Sequence, residues 1–347
     1  MPTPPLGTCW RGLPRRARRT LLSAALAAAA IIAAPPAFAQ QAARDWVTDL
    51  PRENVHVKAW PGGKKVAVTF VLYVETWGKG QGPNLRPDMT SRNPDVVNEA
   101  FRQYAVEWGL ARVGRLFREQ GVPISFALNA LFPSSHPHVW KELRATAPRA
   151  PILGHGMNNS TQQLPLSEGL AGQRAYIKRT LDMIEQDTGV RPIGWSSPSV
   201  YPNVDTFPAT SAEGIRYTLD GMDSDILTRL KTPSGSLLQI PYPAVTVDMG
   251  HYLLRGMEPV ALERLWVDYI TELAREAKAD PQRDATVVAI GIHPFVVGTP
   301  SGAAAMRRVL QAVKRLDVVW LTDTRAIFEA APQGIVRRRL CAISPSE

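Results

Sequence analysis

Cysteine is the scarcest feature of this sequence, with two residues among 347. Cys9 lies in an N-terminal segment with the character of a leader, and Cys341 lies near the other end of the chain. Once the leader is removed a single cysteine remains, so no disulfide forms within the mature chain. The sequence also has no C-x-x-C pair, which excludes the cysteine-based zinc motifs.

Long apolar runs are also missing beyond the first forty residues. No later run of about 18 apolar residues occurs, so the sequence predicts a soluble body without stable membrane insertion. The formal charge of +9 includes five arginines in residues 1–39, a segment without acidic residues. The rest of the chain has 35 basic and 31 acidic residues, and this near balance indicates no nucleic-acid groove.

Residues 1–39 have the organisation of an export signal. Five arginines precede the apolar stretch 21–36, and Ala-Phe-Ala at 37–39 forms an A-x-A cleavage site. The pair Arg18-Arg19 leaves twin-arginine and general secretory export both open, and an uncleaved anchor is a further alternative. We expect a periplasmic or secreted protein whose mature chain consists of a lead-in at 40–59, a folded domain at 60–332 and a basic tail at 333–347.

Between the signal and the tail, short apolar segments alternate with amphipathic ones. The predicted strands read as continuous apolar runs, which is typical of parallel strands covered on both faces. The predicted strands are 65–74, 123–131, 150–155, 192–195, 215–220, 236–242, 285–293 and 317–322. Seven to eight such units favour an α/β fold of the closed or nearly closed β/α-barrel type, with a doubly wound open sheet as the alternative. No G-x-G-x-x-G follows the first strand, which argues against dinucleotide binding.

Polar residues stand at the ends of these strands, where β/α barrels carry their active sites. Glu75 follows the first strand, His155 ends the third and His293 ends the seventh. We expect these three to meet and to be catalytic. Further candidates are substrate-binding residues at or near strand ends, namely Trp195, Tyr242, Asp223, Asp225 and Asn159.

Five motifs in register resemble the polysaccharide deacetylase family. They are VAVTF (66–70), GHG (154–156), RPIGW (191–195), YTLDGMDSD (217–225) and GIHPFVVGTP (291–300). The segments VLYVETW (71–77) and EWGLARVG (107–114) resemble more narrowly the branch with cofactor-free allantoinases and cyclic-amide hydrolases. The resemblance implies a distorted β/α barrel and hydrolysis of a non-peptide carbon–nitrogen bond. It also implies an acidic motif at Asp223 and Asp225, and a family arginine at Arg112.

The sequence departs from the metal-dependent members of that family. Their adjacent aspartates are replaced here by Val71-Leu72, and their His-x-x-x-His motif is replaced by His155 and Asn159. If a metal such as zinc is present, Glu75 and His155 are its expected ligands, but a zinc site needs a third. Asp248 or His251 are candidates to complete a rearranged site. We therefore prefer a reaction without a cofactor.

The residue types suit amide hydrolysis. Glu75 is the expected base, His293 the expected acid, and His155 either a metal ligand or an oxyanion donor. The expected substrate is a small amide or an N-acylated sugar, and the sequence gives no oligomeric state. The alternative is a catalytically inactive barrel that binds a glycan or a small ligand.

Overall fold

A parallel sheet surrounded by helices forms the body of the protein. The computed structural model describes residues 49–160 and 168–332, so the predicted signal and the basic tail lie outside the described residues. The strands of this part are β1 (Arg52–Asn54), β2 (Val66–Val74), β3 (Ser125–Leu128), β4 (Ile152–Gly154), β5 (Gly194–Trp195), β6 (Tyr217–Gly221), β7 (Thr228–Thr232), β8 (Gly235–Pro241), β9 (Thr286–Ile292) and β10 (Val319–Thr322).

The helices lie mostly between these strands. They are α1 (Val96–Tyr104), α2 (Leu110–Gln120), α3 (Phe132–Ser135), α4 (Pro137–Thr146), α5 (Gly169–Thr188), α6 (Thr206–Ala212), α7 (Pro259–Ala279), α8 (Pro300–Val313) and α9 (Thr324–Ala330). Two π-helical segments, Ala105–Gly109 and Gly250–Leu254, interrupt this pattern. No helix in the described ranges has the length and apolar character needed to cross a membrane.

Eight of the ten strands run parallel, as the sequence predicts. Parallel pairing runs from β10 through β2, β3, β4, β5 and β6 to β8, and β9 pairs with β2. The segment after β8 approaches β9 through one isolated parallel bridge between Val247 and Gly291. The sheet therefore curls so that the β8 side approaches β9. A single bridge, rather than a full ladder of hydrogen bonds, joins the two sides.

Two short antiparallel strands were not predicted. β7 pairs with β8, and β1 pairs with β7 at the edge of the sheet. The β7 segment TRLKT contains a single apolar residue, Leu230, and lacks the continuous apolar character of the parallel strands.

Side-chain alternation separates the interior of the curled sheet from its outer layer. In β2, one set packs against the helices, namely Val66, Val68, Phe70, Leu72 and Val74. The other set lies in a separate core cluster together with residues of β4, β6, β8 and β9, and includes Ala67, Val71 and Tyr73. Because successive side chains of a strand point to opposite faces, Glu75 continues the inward series of β2. His293 likewise continues the inward series of Val287 and Ala289 in β9.

Candidate active site

Glu75 lies at the centre of a buried polar cluster at the carboxyl end of the parallel strands. Its side chain is 1% exposed, and those of His155 and His293 are 1% and 3% exposed. Glu75 Oε1 accepts a hydrogen bond from Asn159 Nδ2 at 2.6 Å and lies 3.1 Å from His155 Nε2. Oε2 is buried and has no hydrogen-bond partner among the described residues. One oxygen is therefore engaged, and the other is left available to a reactant.

The strand register explains why His155 reaches Glu75. The pairings Val74 with Leu128 and Leu128 with Gly154 make Glu75, Asn129 and His155 the next neighbours across β2, β3 and β4. Asn129 ties this row together, because its Oδ1 accepts from the Thr76 amide at 2.9 Å and its Nδ2 donates to the His155 carbonyl.

The two ring nitrogens of His155 have different hydrogen-bond partners. Nδ1 lies 2.7 Å from the Ser196 carbonyl, which can only accept, so Nδ1 carries a proton. Nε2 faces Glu75 Oε1, and two bare acceptors would repel at that distance. A proton therefore lies between Nε2 and Oε1.

His293 is held by a second carboxylate, Asp248. His293 Nδ1 lies 2.6 Å from Asp248 Oδ1, and the His293 amide donates to Asp248 Oδ2 at 2.7 Å. This leaves Nε2 directed towards Glu75 Oε1, 3.9 Å away. Burial lowers the pKa of His293, but Asp248 and Glu75 outweigh burial, so the pKa lies above its usual value. Burial raises the pKa of Asp248, against the opposing effect of His293.

From the sequence, Asp248 was placed after the sixth predicted strand and considered as a possible metal ligand, and its role beside His293 was missed. It lies seven residues beyond the end of β8, with a short 3₁₀ turn between. The Val247–Gly291 bridge and a hydrogen bond from Thr246 Oγ1 to the Ala289 carbonyl at 2.8 Å attach this segment to β9. That attachment places Asp248 beside His293.

Tyr73 forms the floor of the site and was also missed. The pairing of Leu72 with Ile292 makes Tyr73 and His293 neighbours, and their rings stack at 4.6 Å with an interplanar angle of 2°. The Tyr73 ring meets His155 at 4.8 Å and 64°. Its hydroxyl lies 3.1 Å from Ser196 Oγ, and burial raises the pKa of the phenol, so it stays neutral. The inward alternation of β2 is the sequence signal that could have identified it.

Asn159 links Glu75 to the loop after β5. While its Nδ2 donates to Glu75, its Oδ1 accepts from the Ser199 amide at 3.0 Å. Ser199 has φ of 55°, a left-handed conformation that is uncommon for a residue with a side chain. Strain of this kind is often found at functional sites, and here the Asn159 contact supports it. Asn159 thus orients the Glu75 side chain through this hydrogen bond, independently of any contact with substrate.

Trp195 and Tyr242, predicted as substrate-binding walls, are fully buried. Trp195 packs in a cluster with α5 and α6 residues, and its ring leaves no room for a side chain at Gly154. Tyr242 lies inside the curled sheet with its hydroxyl against Gly291, where an added Cβ would lie 1.7 Å away. The structure places both as packing groups behind or below the polar cluster.

Asp223, Asp225 and Arg112 lie away from the three central groups. Asp223 pairs with Arg52 of β1. The Asp225 carbonyl accepts from Val287, at the opposite end of β9 from His293. Arg112 donates to the Gly298 carbonyl and to Tyr104, so it fastens the turn that follows His293.

The donor atoms around Glu75 do not suit a divalent cation. Glu75 and His155 offer two ligands of the right type, but Asn159 presents an NH₂ group, which cannot coordinate a metal. Asp248 is engaged by His293, and His251 Nε2 lies 3.0 Å from the Val245 carbonyl. Within residues 49–160 and 168–332, no group of three or more His, Cys, Asp or Glu side chains has metal-binding geometry.

Fold and site together define an α/β-barrel-like protein with a buried carboxylate–imidazole cluster at the carboxyl ends of its strands. No family model matches the sequence, and no curated protein matches it.

Solved structures with a similar fold include two bacterial proteins and an allantoinase. A protein assigned as a polysaccharide deacetylase from Mycobacterium smegmatis is 24% identical with a TM-score of 0.66, over 80% of this chain and 93% of its own. A second such protein, from Pseudomonas aeruginosa PAO1, is 23% identical with a TM-score of 0.68, over 79% and 93%. PuuE allantoinase is 23% identical with a TM-score of 0.67, over 84% and 97%. The deacetylase- and allantoinase-like fold implied by the motifs is thereby confirmed.

Proposed function

We propose that this protein is an exported hydrolase of non-peptide carbon–nitrogen bonds, acting on a small cyclic amide or an N-acylated sugar. The observation that carries this proposal is the position of Glu75 between two imidazoles, one of them paired with Asp248. Burying four titratable groups together is costly for folding alone, and such clusters are typical of acid–base sites. A barrel that only binds a ligand has no need for it, so the inactive-barrel alternative is not favoured.

In the proposed reaction Glu75 Oε2 accepts a proton from a water molecule, whose oxygen attacks the amide carbon. The carbon–nitrogen bond then breaks, and the leaving nitrogen takes the proton of His293 Nε2. The products are a carboxylic acid and an amine or opened ring, and the proton on Glu75 returns to His293. The raised pKa of His293 supports the acid role, because the ring must be protonated before it can donate.

His155 and Asn159 hold Glu75 Oε1 throughout, which orients Oε2 towards the substrate. We propose that these contacts take the orienting role that a cation has in metal-dependent members of the family that the sequence resembles.

The test is hydrolysis of two substrate sets, N-acetylated sugars followed by acetate release and cyclic ureides followed by ring opening. We expect turnover in one set, and a loss of about 10²–10⁴ in kcat for His293→Ala. His56→Ala is the matched control, because His56 also pairs through Nδ1 with an aspartate, Asp284, but is 62% exposed. Absence of turnover by the unmutated protein on both sets, while either substrate still binds, would favour the binding barrel.

A further inference from the structure

The proposed catalytic groups are almost completely enclosed, so a substrate needs a route to them. Two cavities meet at Thr76 and Trp77, the residues directly after Glu75. One, of about 230 Å³, lies against α1 and the following π-helical segment. The other, of about 320 Å³, lies against α3. Thr76 and Trp77 form part of the wall of both.

Trp77 is a half-buried aromatic residue that packs against the main core but has an unsatisfied polar atom. Its indole Nε1 is buried and has no hydrogen-bond partner among the described residues. A buried donor without an acceptor destabilises the position it occupies, so an outward movement that exposes Nε1 to water or ligand is favoured by hydrogen bonding. The ring rests on Gly82, where an added Cβ would lie 2.5 Å from it.

The chain is hydrogen-bonded on both sides of Trp77, so the freedom of this residue lies in its side chain rather than in its backbone. The Gly80 amide donates to Glu99, and Arg102 donates to the Pro83 carbonyl at 3.1 Å and to Asn84 at 2.9 Å. Nearer the ring, a hydrogen bond of 2.7 Å from the Gly78 amide to Ser160 joins the loop to the rest of the structure. Gly80 and Gly82 both have positive φ, a conformation that glycine adopts without strain, so the backbone bends at these two positions.

We infer that substrate reaches Glu75 through the two cavities beside Trp77, and that the Trp77 side chain sets the size of the molecule admitted. In the lining of the 230 Å³ cavity, Arg102 forms an ion pair with Glu99, and Glu107 contacts His138, which lies outside the lining. The cavities also present amide and hydroxyl groups, from Gln103, Ser134, Ser135 and Asn158. This lining suits a neutral ligand that both donates and accepts hydrogen bonds. The substrate identity rests on the proposed function, whereas the route to the two histidines does not.

Carbethoxylation by diethyl pyrocarbonate, mapped by mass spectrometry, tests the route without any enzymatic assay. We compare the unmutated protein with Trp77→Phe, Trp77→Leu and Trp77→Ala, which remove increasing side-chain volume. The reaction rates of His155 and His293 are divided by that of His251, which is also buried and reports general unfolding. We expect the ratio to rise by about tenfold in Trp77→Ala, less in Trp77→Leu and little in Trp77→Phe. A ratio that does not follow this order overturns the inference.

A second measurement tests size selection. For a small and a bulky substrate with the same reacting group, Trp77→Ala should raise kcat/KM for the bulky one relative to the small one by about tenfold. An unchanged preference overturns the selection role even if the labelling order holds. If no substrate turns over in the unmutated protein, the proposed function fails, and the labelling order alone still decides whether Trp77 closes the route.

Discussion

Asp248→Asn is the substitution that most directly tests the chemistry of the site. Both carboxylate oxygens of Asp248 accept hydrogen bonds from His293, one from Nδ1 at 2.6 Å and one from the backbone amide at 2.7 Å. An asparagine of the same shape has one acceptor. Because the backbone amide can only donate, the asparagine oxygen should face it, and the NH₂ group should then face Nδ1.

Facing an NH₂ group, His293 must take the tautomer with a bare Nδ1 and a proton on Nε2. That ring is neutral, and donating its Nε2 proton to the leaving nitrogen would leave an unstable imidazolate. We expect kcat to fall by about a thousandfold, which corresponds to about 4 kcal/mol of transition-state stabilisation. KM should change much less, because the overall shape of the site is kept.

The pH dependence gives an independent check with a definite sign. The acid must be protonated, so kcat should fall as the pH rises through the pKa of His293, which Asp248 and Glu75 hold above its usual value despite burial. Removing the Asp248 charge lowers that pKa, so the residual activity of Asp248→Asn should decline at lower pH than that of the unmutated protein. Asp284→Asn alters the corresponding surface pair with His56 and serves as control. A kcat within about threefold of the unmutated value would refute the acid role of His293.

Three further predictions follow from individual contacts. Tyr73→Leu should lower kcat by about tenfold and remove the ring-current shift of His293 in NMR spectra, whereas Tyr73→Phe should keep that shift; equal behaviour of the two variants would contradict the stacking role. Asn159→His should introduce a third ligand and give close to one zinc per chain by elemental analysis, and a zinc content equal to that of the unmutated protein would contradict the donor argument. Gly291→Ala should reduce the free energy of unfolding in urea by about 1–3 kcal/mol because its Cβ meets the Tyr242 hydroxyl, and Tyr242→Leu should relieve the loss.

The parallel strands could be predicted because the signal for each one, its apolar composition, lies within its own sequence. A strand buried on both faces is apolar throughout, and six of the eight parallel strands fall within the predicted ranges, while β6 and β8 each extend one residue beyond theirs. A helix over 99–120 was also predicted from the sequence, but its π-helical turn was not. At that turn Gly109 packs on Pro294, an approach that depends on a segment far along the chain. The strand β7 was not predicted for a related reason. It is stabilised by its hairpin with β8 and has little apolar character of its own.

The residues of the candidate site also divide into those that local sequence signals locate and those that depend on distant segments. Glu75, His155 and His293 could be located because each immediately follows a strand, and the ends of parallel strands gather at one edge. Asp225 follows a strand as well, but the chain then turns away and its carbonyl pairs at the start of β9. Asp248 is the opposite case, remote from a strand end and brought in by its bridge to β9. Residues that reach a site through loops are therefore the ones that sequence position alone misplaces.

Side-chain orientation, rather than proximity, decides between the metal-bound and metal-free readings of this cluster. Asn159 has an oxygen that could in principle bind a cation, but the Ser199 amide needs that oxygen as its acceptor. Turning the side chain over would leave the strained Ser199 turn without its hydrogen bond and place an oxygen against Glu75 Oε1. Both changes are unfavourable, so the amide nitrogen stays on Glu75. The loop after β5 thus fixes the orientation of the Asn159 amide in the loop after the neighbouring strand β4, and with it the kind of chemistry that the carboxylate can perform.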